Sequence, residues 1–271
     1  MARKKKKSIF IGMFIGFFRL LWFIIKGIYW VFRFLFIKLK KKKQEVEYKN
    51  KNRIRPKIDA RYEGFEIVKS LDGDYFKFEN KLLSNPSAIG IILGARGTGK
   101  SAIGMKLLEN IKAKTDRNVC AMGFKKETLP YWINVIQKID GIPNSSIVLI
   151  DEAGIEFSSR ESMSGVNKLL SSLLLIARHK DLSVFFISQN SANLEINVIR
   201  QSDFLILKPS SLLQKDFERG KIKEIYSEAQ EHFDEFKNVE GLTSIYSSEF
   251  RGFVKNGLPS FWNKDVSKAY K

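Results

Sequence analysis

Residues Gly94-Ala95-Arg96-Gly97-Thr98-Gly99-Lys100-Ser101 follow the pattern G-x-x-x-x-G-K-[ST]. Glycines at these positions let backbone N–H groups wrap a phosphate chain, and a helix opening at the end of the loop adds positive partial charge. Lys100 is then placed to reach the β- and γ-phosphates of ATP, and the Ser101 hydroxyl to hold Mg²⁺. Ala95, Arg96 and Thr98 complete the cradle, with Arg96 and Thr98 on its solvent side. Fifty residues beyond Ser101, the apolar run Ile147-Val148-Leu149-Ile150 delivers Asp151-Glu152. Ligands of parallel sheets bind at the carboxyl ends of the strands, so Asp151 is a second Mg²⁺ ligand, directly or through water. Glu152 stands one residue later, placed to polarise a water for attack on the γ-phosphate.

A third strand pattern, Ser183-Val184-Phe185-Phe186-Ile187-Ser188, ends in Gln189-Asn190. An amide there can sense the γ-phosphate or position water. Arg178 and Arg200 are candidates for the cation that stabilises charge developing in a neighbouring subunit's transition state; as helix caps or surface partners they would do neither. His179 reads as structural and Cys120 as a core residue. A single cysteine excludes an intramolecular disulfide framework, and two histidines 53 residues apart exclude a His-rich metal site.

Positioning these groups requires alternating strands and helices. Strands are expected at Ala88–Leu93, Asn118–Phe124, Ile147–Ile150, Leu182–Ile187 and Phe204–Leu207. Helices are expected at Lys100–Ala113, Glu127–Ile139 (around Trp132 and Ile136), Met163–Arg178 and Lys221–Phe236. Tyr62–Phe78 reads as short extended segments around a turn at Asp72-Gly73, and Thr243–Val254 as a further β segment. The alternation predicts an α/β fold with a parallel sheet and helices on both faces.

The +18 net charge is unevenly placed. Residues 1–60 hold 18 of the 47 Lys and Arg against Glu45, Glu47 and Asp59, so the rest of the chain is close to neutral. Ile9 to Ile37 is almost wholly apolar, flanked by Arg3–Lys7 and Lys38–Lys43, and broken by Arg19, Lys26 and Arg33 at sevenfold spacing. On a helix these three cations form one stripe, and the helix is roughly 43 Å long. Its 19 Phe, Ile, Leu and Val side chains contribute about −8.5 kcal/mol to insertion, against about +9 kcal/mol for the cations. Three arrangements suit it: a span with snorkelling cations, an in-plane anchor on anionic headgroups, and a stripe facing its own copies. The expected organisation is a membrane-anchoring helix over 1–43, a linker over 44–61 and an ATPase domain over 62–271, with its core about 86–210. Membrane lipids are the partner of the first segment, and the domain is expected on the cytoplasmic side.

Taken together, the phosphate loop, Asp151-Glu152-Ala153-Gly154 with Phe157 and Arg160, Ala177-Arg178-His179-Lys180 and Phe186-Ile187-Ser188-Gln189 resemble the FtsK–HerA group of ring ATPases. Within that group they are most similar to the zonula occludens toxin-like (Zot-like) branch, where a segment like Asn193–Arg200 also follows the glutamine strand. The resemblance covers roughly Ala88 to Pro209. It implies a RecA-like (ASCE) sheet with a strand added between those of the phosphate loop and Asp151. It also implies hydrolysis by Glu152, Gln189 as sensor, a homo-oligomeric ring such as a hexamer, and Arg178 as first choice for the arginine acting across it. In the filamentous-phage members the membrane segment follows the ATPase domain; here it precedes it, as in FtsK-type and conjugation coupling motors.

The function expected is therefore a membrane-anchored, Mg-dependent ATP hydrolase acting as a DNA-translocating motor in genome transfer, packaging or virion extrusion. Two alternatives stand beside it: a membrane ATPase driving protein secretion or assembly without DNA, and a nucleotide-gated scaffold. No Asn-Lys-x-Asp motif for reading guanine occurs.

Overall fold

The computed structural model describes residues 22, 26–30, 32–40, 55–151, 163–194, 196–211 and 217–267. Two compact units divide at Ile54/Arg55. In the first, the described residues are all helical, and Trp22, Trp30, Phe32, Phe34 and Phe36 expose their rings. Among the described residues no helix is long and apolar enough to cross a membrane. The greater part of the 1–43 segment expected to meet the bilayer, and the linker up to residue 54, lie outside them.

The second unit is built on one nine-stranded sheet. In chain order its elements are β1 (Glu66–Gly73), α1 (Tyr75–Ser84), β2 (Ile89–Leu93), α2 (Lys100–Lys114), β3 (Asn118–Met122), β4 (Ile133–Val135), β5 (Ser146–Asp151), α3 (Met163–Ala177), β6 (Ser183–Ile187), α4 (Ile196–Arg200), β7 (Phe204–Leu207), α5 (Gly220–Glu235), β8 (Leu242–Ser247), β9 (Phe250–Lys255) and α6 (Lys264–Ser267). The sheet order is β1-β9-β8-β7-β2-β6-β5-β3-β4. From β7 to β4 every pairing is parallel. β6 lies between β2 and β5, the added strand that the resemblance implies. The β segment expected near the C-terminus is the hairpin β8–β9. It joins β7 antiparallel, and β1 closes that side of the sheet against β9.

Helices cover both faces, since the short parallel strands are apolar on both sides. Ile92, Leu149, Phe185 and Ile206 face one core with Ile103, Leu107 and Ile111 of α2 and Tyr75 and Phe78 of α1. Ile91, Val148, Phe186 and Leu205 face the other with Leu170 and Leu173 of α3 and Ile222 and Tyr226 of α5. Cys120 is fully buried in β3.

Two expectations differ from the structure. Glu127–Ile139 is not a helix: it forms 3₁₀ turns around the short strand β4. Pro130 interrupts the run, Trp132 spends its indole N–H on the Ile58 carbonyl at 2.9 Å, and Ile133 is buried opposite Val119. The Trp132–Ile136 spacing mimics a helical stripe that the chain does not use. The second difference is α1, which replaces an extended segment. The Asp74 carboxylate caps it by accepting from the Phe76 N–H at 2.8 Å, and Tyr75, Phe78 and Leu82 supply its buried stripe.

Residues 55–63, partly read from sequence as linker, are a strap held on the second unit. The Arg55 guanidinium donates to the carbonyls of Leu129, Pro130, Tyr131 and Ile133. Glu63 ion-pairs at 2.7 Å with Lys106, which is buried on α2 beside the fully buried Glu109.

Candidate nucleotide site

The site is assembled where β2 stops and α2 starts. β2 is buried almost throughout, and the chain then turns through three glycines at positive φ: Gly94 (155°), Gly97 (83°) and Gly99 (91°). At Gly94 the reason is contact as well as conformation, because a Cβ there would stand 2.6 Å from the Lys208 Cβ. The turn is pinned by the Ala95 N–H donating to the Pro209 carbonyl at 3.0 Å and by the Thr98 hydroxyl donating to the Ala95 carbonyl at 2.8 Å. α2 then lies tight on the sheet: a Cβ at Gly104 would come within 2.8 Å of Leu149 and 3.2 Å of Ile187. That closeness aims the N-terminus of a 15-residue helix at the loop's concavity.

Lys100, 8% exposed, folds back over the loop and donates to the Gly94 and Ala95 carbonyls, both at 2.8 Å. Burial pushes its ammonium below the usual lysine value, and Asp151 pulls it partly back. The Ser101 hydroxyl donates to Asp151 Oδ2 at 3.0 Å, joining the start of α2 to the end of β5. Asp151 is buried at 4% exposure. A hydroxyl and a carboxylate side by side are hard oxygen donors. They fit Mg²⁺, which takes one or two protein oxygens and completes its shell with phosphate and water. Among the described residues no cluster of three or more His, Cys, Asp or Glu could hold a metal by itself.

The structure thus brings Gly94, Ala95, Arg96, Gly97, Thr98, Gly99, Lys100, Ser101 and Asp151 together. Gln189 follows β6, exposed, at the same carboxyl-end rim. Glu152 lies outside the described residues, as do Phe157 and Arg160. Arg178 and Arg200 do not join this rim. Arg178 ends α3 ahead of β6, and Arg200 ends α4 ahead of β7, so both stand at the strands' amino ends, exposed, on the opposite rim from their own chain's loop. His179 is exposed beside Arg178.

Two features escape the sequence. Lys208, directly after β7, is buried against the loop. The turn at Asn190–Leu194, beyond Gln189, is held by Glu218 and Arg219: Glu218 accepts from the Ser191 N–H at 2.7 Å, and the Arg219 guanidinium donates to the Ser191 and Leu194 carbonyls at 3.1 and 2.8 Å. Only the spatial return of the chain before α5 could reveal that clamp.

No family model matches this chain, and no curated protein does. Among solved structures, the genome packaging NTPase B204 from Sulfolobus turreted icosahedral virus 2, in complex with AMPPCP, is similar over 64% of this chain and 100% of that one, at 18% identity and a TM-score of 0.44. EssC (ATPases 2 and 3) from Geobacillus thermodenitrificans is similar over 80% and 48%, at 12% identity and 0.43. The N-terminal domain of zonular occludens toxin from Neisseria meningitidis is similar over 68% and 99%, at 15% identity and 0.37. Likeness at this level assigns no residue a role. The strand–loop–helix unit itself, with Ser101 bonded to Asp151 two strands away, is that of a P-loop nucleotide-binding fold.

Proposed function

We propose that this chain is a Mg-dependent ATP hydrolase of the ring-forming FtsK–HerA type, tethered to a membrane through residues 1–43 and working on DNA. The observation that carries the catalytic part is the Lys100–loop–Ser101–Asp151 arrangement at the carboxyl rim of a parallel sheet. Lys100 exchanges the carbonyls of Gly94 and Ala95 for β- and γ-phosphate oxygens. Loop N–H groups and the α2 N-terminus orient the phosphate chain; Ser101 and Asp151 would hold Mg²⁺, which would supply charge to offset that of the phosphates. Glu152, one peptide beyond Asp151, takes a proton from the attacking water, and Gln189 reports the γ-phosphate.

Arg178 and Arg200 stand on the far rim of their own chain, so a catalytic part for either is a part in another chain's site, and a ring is then a condition of full activity. The membrane part rests on the apolar, basic-flanked run at 9–37, and the DNA part on the resemblance of the Arg178 and Gln189 segments. The test is steady-state ATP turnover by the full-length chain on anionic vesicles, with and without double- and single-stranded DNA. Turnover raised severalfold by DNA supports the motor. Turnover indifferent to both points to secretion or assembly, and binding without turnover to a nucleotide-gated scaffold.

A further inference from the structure

Lys208 is 2% exposed. Its backbone N–H donates to the Leu93 carbonyl at 2.8 Å, so the residue begins alongside the phosphate loop. Its stem passes Gly94, then Gly99, with Cε 3.9 Å from where a Cβ on Gly99 would stand. The ammonium ends against the β8–β9 side of the sheet, donating to the Gly241 carbonyl (3.0 Å), the Leu242 carbonyl (3.1 Å) and Asn256 Oδ1 (2.9 Å). Three acceptors match the three protons of an ammonium, while a neutral amine would turn a lone pair toward one of them. Yet no carboxylate is among these partners.

The charged groups on the surrounding elements do not supply one. Lys100 lies across the loop with Asp151 beyond it, Glu240 is exposed in the turn before β8, and Lys255 at the end of β9 pairs outward with Glu66 at 3.5 Å. A buried cation without a counter-charge is costly, and its stem runs along a loop, at Gly94 and Gly99, whose glycines and helix N-terminus suit an anion.

We propose that Lys208 is a positioning residue through which nucleotide binding is linked to a proton: the arriving polyphosphate favours its ammonium form, which ties the loop to the β8–β9 turn. The inference rests on the reading of loop 94–101 as a nucleotide site. Burial alone lowers Lys208 to about 7 before any phosphate is present, so the group is poised where a nearby anion changes its protonation. The bound state then holds more of the proton than the free state. Affinity accordingly falls as pH rises through and above the free-state value.

The experiment is calorimetric titration of the full-length chain with Mg·ATP and Mg·ADP at pH 7 to 9, in two buffers of different ionisation enthalpy. If the phosphates raise Lys208 by one unit, affinity falls about fivefold over that range and about half a proton is taken up at pH 7.5. Lys208→Met should bind more weakly at pH 7 and lose most of the pH slope and the uptake. A merely structural tie would lower the unfolding midpoint and leave the slope intact. Uptake undiminished in Lys208→Met, where Lys100 remains, overturns the proposal. Should that variant not fold, the native chain decides: binding without proton uptake overturns it. Failure to bind nucleotide at all would remove the P-loop reading itself, a distinguishable result.

Discussion

Each rim of the parallel sheet holds a cation, buried at one and half-buried at the other, and the two use it in opposite ways. At the carboxyl rim, Lys100 rests on two carbonyls of a loop whose glycines leave room for a ligand. At the amino rim, the Arg117 guanidinium donates to the carbonyls of Asn85, Pro86, Ser145, Ser146 and Asp181 and to the Ser183 hydroxyl. It thereby stitches β2, β3, β5 and β6 at their starts. Lys100 has partners it can leave, a flexible stem and a compact charge; Arg117 has a rigid fork with every direction committed. One rim is therefore built to exchange contacts and the other to hold the strands in register while it does so.

The sharpest way to break this comparison is Lys100→Ala. ATP binding and turnover should fall to background, with the unfolding midpoint little changed, because the loss of a donor to the buried Gly94 carbonyl is offset by removal of a desolvated ammonium. Glu152→Gln should retain ATP binding while turnover drops by about 10²–10⁴-fold, which equilibrium binding and single-turnover measurements separate. Equal loss of binding in both variants would contradict the division of labour between phosphate contact and water activation. Arg117→Ala is the mirror case: denaturant unfolding should show about 2 kcal/mol lost, since partly buried carbonyls at the starts of several strands lose a shared donor, while the remaining folded protein keeps its ATP affinity. A large affinity loss there would erase the distinction between the rims.

The smallest effect concerns the exposed arginines. Mixed Glu152→Gln and Arg178→Ala chains, each inactive, should recover a few tens of per cent of activity on co-assembly, because one interface then pairs an intact Glu152 with an intact Arg178. Proven co-assembly with no recovery would remove Arg178 and leave Arg200 as the candidate.

Much of the carboxyl rim was legible in the sequence because its groups are local. A strand, a glycine loop and a lysine at fixed spacing need no distant partner to be recognised, and Asp151 announces itself at the end of an apolar run. What could not be read depends on returns of the chain. Lys208 is one of 47 basic residues until β8 and β9 fold over it. Trp132 and Ile136 carry a helical spacing that the strap at Ile58 overrides. Arg178 and Arg200 each close a helix ahead of a strand, but periodicity does not say at which rim that strand begins. Strand direction, which assigns the rim, appears only once β6 and β7 are paired parallel to β2.

The two borders of the sheet have a consequence for what another chain could do there. Its outermost strand, β1, carries two irregularities in register, between Ile67 and Lys69 and between Ser70 and Asp72. At the other end of the sheet β4 offers only three residues. A bulged, charged border and a very short one are both poor templates for another strand. The sheet is thus poorly disposed to grow from one molecule into the next. Another molecule approaching this unit finds helices and loops to pack on rather than a strand to extend, and contacts of that kind can part again where a shared sheet would lock.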